Sequence, residues 1–186
     1  MKVIKGRHIV VLGGARSGTA AAVMLRRKGA FPFVSDAGKI SEDNIEKLNT
    51  AGIPFEQNGH TERARKGEFL VISPGIPDHA PVARHYRESN RNIYSELEVA
   101  SWFNSSPITA VTGTNGKTTV ANWLAHTWKV AGRSYLLAGN IGSAFSDHVD
   151  KTSADRDALL EVSSFQLDHI DTFHPNVGLI LNITED

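Results

Sequence analysis

Short apolar runs that alternate with stretches of helical periodicity are the feature that most restricts how this chain can fold. In the first half, such runs lie at His8–Leu12, Phe31–Ser35 and residues 69–73, and each ends at a glycine, an aspartate or a proline. Residues 17–28, between the first two runs, carry apolar side chains at helical spacing. Short runs of this kind are typical of buried strands, and a helix between two strands is typical of a parallel pair. The sequence therefore predicts an α/β fold, with parallel sheets covered by helices on both faces.

The alternation restarts after a polar, helix-breaking segment at residues 104–107. From there the pattern predicts a helix over residues 117–131 and strands over residues 108–111, 134–137, 158–162 and 177–182, the last of them of the buried type. The remaining elements expected in the first half are helices over residues 41–49, 81–89 and 96–102 and a weak strand at 93–94. We therefore expect two sheets in two domains, residues 1–104 and residues 105–186.

Composition excludes several classes of protein. The 186 residues include 20 basic and 20 acidic side chains, so the chain lacks the excess positive charge typical of nucleic-acid or anionic-membrane binding. There are no cysteines, which excludes disulfides, thiolate metal sites and cysteine nucleophiles. The eight histidines show no metal-ligand spacing, and no apolar run is long enough for a signal peptide or a membrane span. We expect a soluble cytoplasmic protein.

Residues 113–119, Gly-Thr-Asn-Gly-Lys-Thr-Thr, lie between a predicted strand and a predicted helix. Backbone N–H groups at such a junction surround a phosphate, and glycines let the backbone approach it closely. Lys117 is placed to reach the β- and γ-phosphates, and the Thr118 hydroxyl is placed to ligate Mg²⁺. Val111 stands where the generic phosphate loop has its first glycine, so this loop departs from that motif. The expected ATP-binding residues are Gly113, Thr114, Asn115, Gly116, Lys117, Thr118 and Thr119.

Glu161 is the second residue expected to take part in the chemistry. It lies at the carboxyl end of a predicted strand, the edge at which open α/β sheets bind ligands. A carboxylate there can hold Mg²⁺ together with Thr118, so we expect Lys117 and Glu161 to be catalytic and Thr118 and Glu161 to bind the metal. The alternative is an ordinary solvated glutamate at a strand end.

Residues 111–119 resemble the phosphate loop of the Mur ligases and of the related folylpolyglutamate synthases, which share the departure at the first glycine. The segments at residues 73–77, 139–142, 161–167 and 181–186 also resemble Mur ligases, so the resemblance covers the whole chain. The Ser-Ser-Phe-Gln-Leu run within residues 161–167 is typical of the members that add D-glutamate. The Rossmann-like first domain separates the chain from folylpolyglutamate synthases.

The resemblance implies a ligase of peptidoglycan precursor synthesis. In these enzymes ATP, with Mg²⁺, phosphorylates the alanyl carboxylate of UDP-N-acetylmuramoyl-L-alanine, and the amine of D-glutamate then attacks the acyl phosphate. Residues 1–104 would be a Rossmann-like UDP-binding domain, and residues 105–186 part of a P-loop ATPase-type central domain. Asn140 resembles the family's contact to the UDP-sugar, and Ser163 and Gln166 are further candidate site residues.

The family pattern continues past Asp186 with a histidine, a carbamylated lysine that bridges Mg²⁺, and a third domain that binds D-glutamate. We therefore expect an amino-terminal part of such a ligase that cannot complete turnover alone.

The first glycine-rich turn, residues 13–18, is expected to bind the UDP part of the substrate. A diphosphate can sit on the helix that begins there, and the resemblance places uracil at Asp36, which ends the second predicted strand. Ala37 replaces the hydroxyl residue expected beside it. The substrate-binding residues expected in this half are Gly14, Ala15, Arg16, Ser17, Asp36 and Ser73.

Other interpretations of these residues stay open at this point. Asp36 can be a turn-former or a helix cap. It also permits an NAD-dependent dehydrogenase, although Ala15 stands where the dinucleotide-binding fingerprint has its second glycine. A non-catalytic nucleotide-sugar-binding module and another Mur ligase are further alternatives.

Overall fold

Two parallel β-sheets form the centre of the protein in a computed structural model that describes residues 3–184. In the first sheet the strands lie in the order β3-β2-β1-β4-β5, and in the second β7-β8-β6-β9. All pairings of these strands are parallel. The strands are β1 (His8–Leu12), β2 (Phe31–Ser35), β3 (Phe55–Glu56), β4 (Phe69–Ile72), β5 (Ile93–Ser95), β6 (Ile108–Thr112), β7 (Tyr135–Gly139), β8 (Asp157–Glu161) and β9 (Val177–Ile180). The predicted α/β class with parallel sheets is confirmed.

Six α-helices connect the strands within the described part of the chain. They are α1 (Arg16–Arg27), α2 (Glu42–Thr50), α3 (Pro81–Glu88), α4 (Glu96–Ser101), α5 (Lys117–Val130) and α6 (Ser164–Leu167). Short 3-10 helices lie at Glu62–Arg65, Phe145–Asp147 and Val149–Lys151. The sequence prediction missed β3, α6 and the 3-10 helices, because elements this short carry too few residues to show a period. The ends of the predicted elements differ from the observed ones by at most two residues.

The first sheet is buried on both faces because successive side chains along its strands point alternately into two apolar clusters. Ile9 and Val11 of β1 lie in the cluster that contains Met24 of α1, together with buried residues of α2 and α4. Val10 of the same strand points the other way and packs in the cluster that holds Tyr86 of α3. Helices therefore cover both faces of this sheet, as predicted.

The second sheet is covered differently on its two faces. Helix α5 packs on one face, where Val111, Ala125 and Leu159 form the centre of a small cluster. On the other face Leu160 belongs to the same cluster as the first sheet, together with Phe145 from a 3-10 helix. The two halves therefore share one continuous apolar core, and this core holds one sheet in a fixed position relative to the other.

The carboxylate of Glu98, at the joint between the halves, accepts hydrogen bonds from a loop of the second half. Its oxygens lie 2.7 Å from the Phe173 backbone N, 3.0 Å from that of Asp171, and 2.6 Å from both the Thr172 hydroxyl and Trp102 Nε1. Burial alone would raise the pKa of Glu98, but these bonds outweigh it and lower the pKa below its ordinary value. A buried anion thus ties α4 to the chain that leads into β9.

The prediction that the last strand is of the buried type is wrong. In β9 the side chains of Val177 and Ile180 are 52% and 68% exposed. The physical reason is its place in the sheet: β9 is an edge strand that pairs only with β6 among the described residues. Apolar composition indicates a strand, but it does not tell whether a neighbour covers it.

The predicted domain boundary near Asn104 lies between α4 and β6. The division into domains at that point stays a prediction. Glu185 and Asp186, which carry the end of one motif, lie outside the described residues. Among residues 3–184, no helix is long and apolar enough to cross a membrane.

Candidate functional site

The loop between β6 and α5 presents the start of a helix to solvent. Gly116, at the N-cap of α5, has a φ of +84°, and because glycine has no side chain the helix start has no side-chain cap. The first backbone N–H groups of a helix have no intrahelical acceptor, and here they belong to Lys117, Thr118 and Thr119. This arrangement suits an anion such as a phosphate group.

The Lys117 side chain folds back over the loop. Its Nζ donates to the carbonyl oxygens of Gly113 at 2.5 Å and Thr114 at 3.0 Å. An ammonium group has three N–H donors, so these two bonds, the ones it makes within the described chain, leave one for a phosphate oxygen. The positive charge therefore lies inside the loop. Its contact with the phosphates of ATP stays a prediction.

Asn182, just after β9, clamps the phosphate loop and was not among the predicted site residues. Its side chain accepts from Asn115 N at 2.9 Å and donates to Asn115 O at 3.0 Å, while its own carbonyl accepts from Thr114 N at 3.1 Å. A Cβ on Gly113 would lie 3.1 Å from that same carbonyl, and Gly113 has a φ of +142°, a conformation that favours glycine. The only sequence signal for Asn182 was its place in a motif that resembles the Mur ligases.

Thr118 and Glu161, the two residues predicted to bind a metal, are in contact. Thr118 Oγ1 donates to Glu161 Oε2 at 2.7 Å, and Glu161 is buried. Two oxygens of an octahedral Mg²⁺ shell at about 2.0–2.1 Å from the ion lie about 2.9 Å apart, so this pair fits adjacent Mg²⁺ ligands. Within residues 3–184, no group of three or more histidine, cysteine, aspartate or glutamate side chains could hold a metal.

Asn140 and Arg16 extend this contact into the first half. Asn140 Nδ2 donates to Glu161 Oε1 at 3.0 Å, and its backbone N donates to Glu161 O at 2.8 Å. Arg16 donates from Nη2 to Asn140 O at 2.9 Å and from Nη1 to Gly142 O at 2.7 Å. The structure therefore brings together four predicted site residues from four separate parts of the chain.

The glycine-rich turn before α1 is held tightly by its own neighbours. The Gly14 carbonyl accepts from Thr19 Oγ1 and Asn44 Nδ2, each at 3.0 Å. Helix α1 begins after Ala15 without a side-chain cap, so its first N–H groups, including that of Ser17, face outward like those of α5. The roles of Gly14, Ala15, Arg16 and Ser17 in substrate binding stay predictions.

Asp36 makes the contacts of a turn-former. Its carboxylate accepts from Gly14 N at 2.6 Å and from Gly38 N at 2.8 Å. Ser73 is buried beneath the glycine-rich turn, where a Cβ on Gly13 would come within 2.6 Å of its hydroxyl. Both residues therefore shape the loop, and contacts of either with uracil stay predictions.

Ser163 and Gln166 form the cap of α6. Gln166 Oε1 accepts from Ser163 N at 3.0 Å and from Ser163 Oγ at 3.2 Å. Gln166 is buried, so this pair fixes the start of the helix that follows Glu161. Substrate binding by Ser163 stays a prediction.

A cavity of about 260 Å³ lies where the two halves meet, between the loop after β4 and helix α6. Ser73 and Pro77 line one side, and Phe165 and His169 line the other. His169 Nε2 lies 2.9 Å from Asp78 Oδ1 and closes one end.

Two family models match this chain. The MurD N-terminal domain matches residues 9–82, and the Mur ligase middle domain matches residues 111–186.

Curated proteins match over nearly the whole chain. The UDP-N-acetylmuramoylalanine--D-glutamate ligase of Salinibacter ruber is 43% identical over 98% of this chain and 41% of its own length. The protein of the same name from Chlorobaculum parvum is 40% identical over 100% of this chain and 40% of its own length. The chain thus spans about two fifths of the length of these relatives.

Solved structures share the fold at low sequence identity. The UDP-N-acetylmuramate:L-alanyl-gamma-D-glutamyl-meso-diaminopimelate ligase from Neisseria meningitides superposes with a TM-score of 0.61 at 16% identity, over 97% of this chain and 62% of that one. The UDP-N-acetylmuramate-alanine ligase MurC from Thermotoga maritima gives 0.59 at 20% identity, over 97% of this chain and 42% of that one. These likenesses establish the fold.

Proposed function

The chain belongs to the Mur ligase family, and we propose that the protein uses ATP to join D-glutamate to UDP-N-acetylmuramoyl-L-alanine in peptidoglycan precursor synthesis. The observation that carries the proposal is the contact between Thr118 of the phosphate loop and Glu161, 2.7 Å apart, with Asn140 bonded to the same carboxylate. The relatives at 40–43% identity, named as D-glutamate ligases, support the choice of amino acid.

In the proposed reaction, a carboxylate oxygen of the alanyl group attacks the γ-phosphorus of ATP, and the bond to the ADP oxygen breaks. The amine of D-glutamate then attacks the carbonyl carbon of the acyl phosphate, phosphate leaves, and the nitrogen loses a proton. Phosphoryl transfer of this kind depends on positioning and on neutralising charge.

The chain's own residues supply both requirements in the proposal. The first-turn N–H groups of α5 bind phosphate oxygens, and Lys117 adds a positive charge beside them. Thr118 and Glu161 would hold Mg²⁺, which when bound neutralises phosphate charge. Asn140, just after β7, holds the Glu161 carboxylate in place. In the proposal it would also contact the UDP-sugar.

Nucleotide binding tests the first part of the proposal. We expect the chain to bind ATP in the presence of Mg²⁺, and Lys117→Ala to weaken that binding about 10- to 100-fold, because a charge-assisted bond to phosphate contributes about 1.5–3 kcal/mol. Lys129→Ala, in the last turn of the same helix, is the matched control and should bind as the wild type does. Equal affinities for the Lys117→Ala and Lys129→Ala variants would contradict the assigned ATP site.

Thermal stability with candidate ligands tests the second part. UDP-N-acetylmuramoyl-L-alanine should raise the melting temperature, because a ligand that binds only the folded state stabilises it. NADH at the same concentration should leave the melting temperature unchanged. The opposite ranking would favour a dehydrogenase. Binding, rather than turnover, is the appropriate measurement for a chain that spans about two fifths of its relatives.

A further inference from the structure

The two glycine-rich loops of this protein are connected by a continuous series of side-chain hydrogen bonds. The series starts at Arg16 in the first half and passes through Asn140 and Glu161 to Thr118 in the phosphate loop. Each link is 2.7–3.0 Å long. Since Arg16 lies at the start of α1 and Thr118 at the start of α5, the series spans both predicted ligand sites.

We propose that Arg16 is a positioning residue, which through Asn140 holds Glu161 against Thr118 and thereby sets the affinity for Mg²⁺-bound nucleotide. The inference rests on the proposed function, because it assigns a control to the same nucleotide site. Arg16 itself contacts neither the phosphate loop nor Glu161 in the hydrogen bonds of the described chain.

The geometry around Asn140 shows how a residue of the first half can hold the turn after β7. The turn after β7 is tight: Gly139 N donates to Ser143 O at 2.9 Å, and a Cβ on Gly139 would lie 2.2 Å from Glu161 O. A carbonyl on each side of this turn, Asn140 O and Gly142 O, points toward Arg16. The planar guanidinium donates to both carbonyls at once and so fixes the turn. A lysine ammonium, which is a point charge on a flexible stem, would not hold the turn in this way.

The consequence for Glu161 follows from its two oxygens. Asn140 holds Oε1 and Thr118 holds Oε2, so the orientation of the carboxylate depends on both neighbours. If the Asn140 turn shifts, Oε1 loses its donor and the carboxylate can rotate away from Thr118. Binding of the nucleotide without Mg²⁺ uses the loop N–H groups and Lys117, and it should be indifferent to that rotation.

The ratio of nucleotide affinities with Mg²⁺ and with EDTA therefore tests the inference. With a fluorescent ATP analogue, Arg16→Met should lower the affinity in Mg²⁺ about tenfold, within the usual range of coupling between sites. In EDTA the affinity of Arg16→Met should differ from that of the wild type by less than about twofold, which is below that range of coupling. A loss of stability alone would not change this ratio, and the melting curve of each variant checks that it folds.

Arg27→Met is the matched control. Arg27 is on the same helix and also reaches the second half, where it lies 3.2 Å from Asp150, but it has no contact with Asn140 among the hydrogen bonds of the described residues. Its Mg²⁺-to-EDTA ratio should equal that of the wild type. If Arg16→Met and Arg27→Met behave alike, the inference is overturned.

A double variant tests the route. Since Arg16 is proposed to act through Asn140, Arg16→Met combined with Asn140→Ala should have the same ratio as Asn140→Ala alone. Additive losses would contradict the route. If the wild-type chain shows no Mg²⁺-dependent nucleotide binding, the proposed function fails and the inference fails with it. If the wild type binds and Arg16→Met keeps the full ratio, only the inference fails.

Discussion

Replacing Glu98 by glutamine should destabilise the joint between the two halves by about 2–4 kcal/mol. The carboxylate accepts from Phe173 N on one oxygen and from Trp102 Nε1 on the other. The carboxamide of glutamine has an NH₂ group in place of one carboxylate oxygen. When this group faces Phe173 and Asp171, the backbone N–H groups of both residues lose their acceptor. The buried Phe173 N–H left without an acceptor costs about 1–3 kcal/mol, and the part-buried Asp171 N–H adds about 1 kcal/mol.

Urea unfolding at neutral pH, followed by circular dichroism, measures this loss directly. The matched control is Glu62→Gln: Glu62 is 74% exposed and pairs only with Arg65 in the described chain, so its unfolding free energy should change by less than about 0.5 kcal/mol. An unfolding free energy for Glu98→Gln within that same margin of the wild-type value would refute the argument that the carboxylate anchors residues 171–173.

The pH dependence of stability gives an independent check on Glu98. Its pKa is lowered in the folded state, chiefly by bonds that overcome the effect of burial. The stabilisation is therefore present above the ordinary value of 4.5 and is lost as the pH falls through the folded pKa. The unfolding free energy of the Glu98→Gln variant should therefore not show this loss at acid pH.

Two further predictions concern the glycine-rich turn and the interior. Gly18→Ala should cost several times more stability than Gly38→Ala. A Cβ at position 18 would lie 1.9 Å from Gly13 O, whereas a Cβ at position 38 would meet nothing nearer than 3.6 Å. Thermal unfolding of both variants measures the difference. Glu96 is buried, and burial raises its pKa, so its contribution to stability is complete below the ordinary value of 4.5 and is lost as the pH rises toward the folded pKa. Glu96→Gln, which keeps the shape of the protonated form, should therefore gain stability relative to the wild type as the pH rises from 4 to 8, and an equal difference at both pH values would contradict a raised pKa of Glu96.

The sequence by itself determined the fold class and the position of the phosphate loop. Both follow from local signals: the period of the apolar residues, and glycines and a lysine at fixed spacing between a strand and a helix. His8–Leu12 and Phe31–Ser35 were predicted with their observed bounds for this reason. The position of Glu161 at the carboxyl end of β8 also followed from local order, because strand ends in parallel sheets meet at one edge. Its role in the chemistry stays a prediction.

The tertiary structure decided which side chains meet across distant parts of the chain. Asn182 clamps Asn115 from 67 residues away, and Arg16 reaches Asn140 over 124 residues. Neither contact has a period or a spacing that a single sequence reveals, because each depends on strand order and on how the two sheets share a core. The exposure of β9 has the same cause, since an edge position is a property of the assembled sheet. Local pattern thus determined the helices and strands and the position of the loop, while packing decided which residues hold that loop in place.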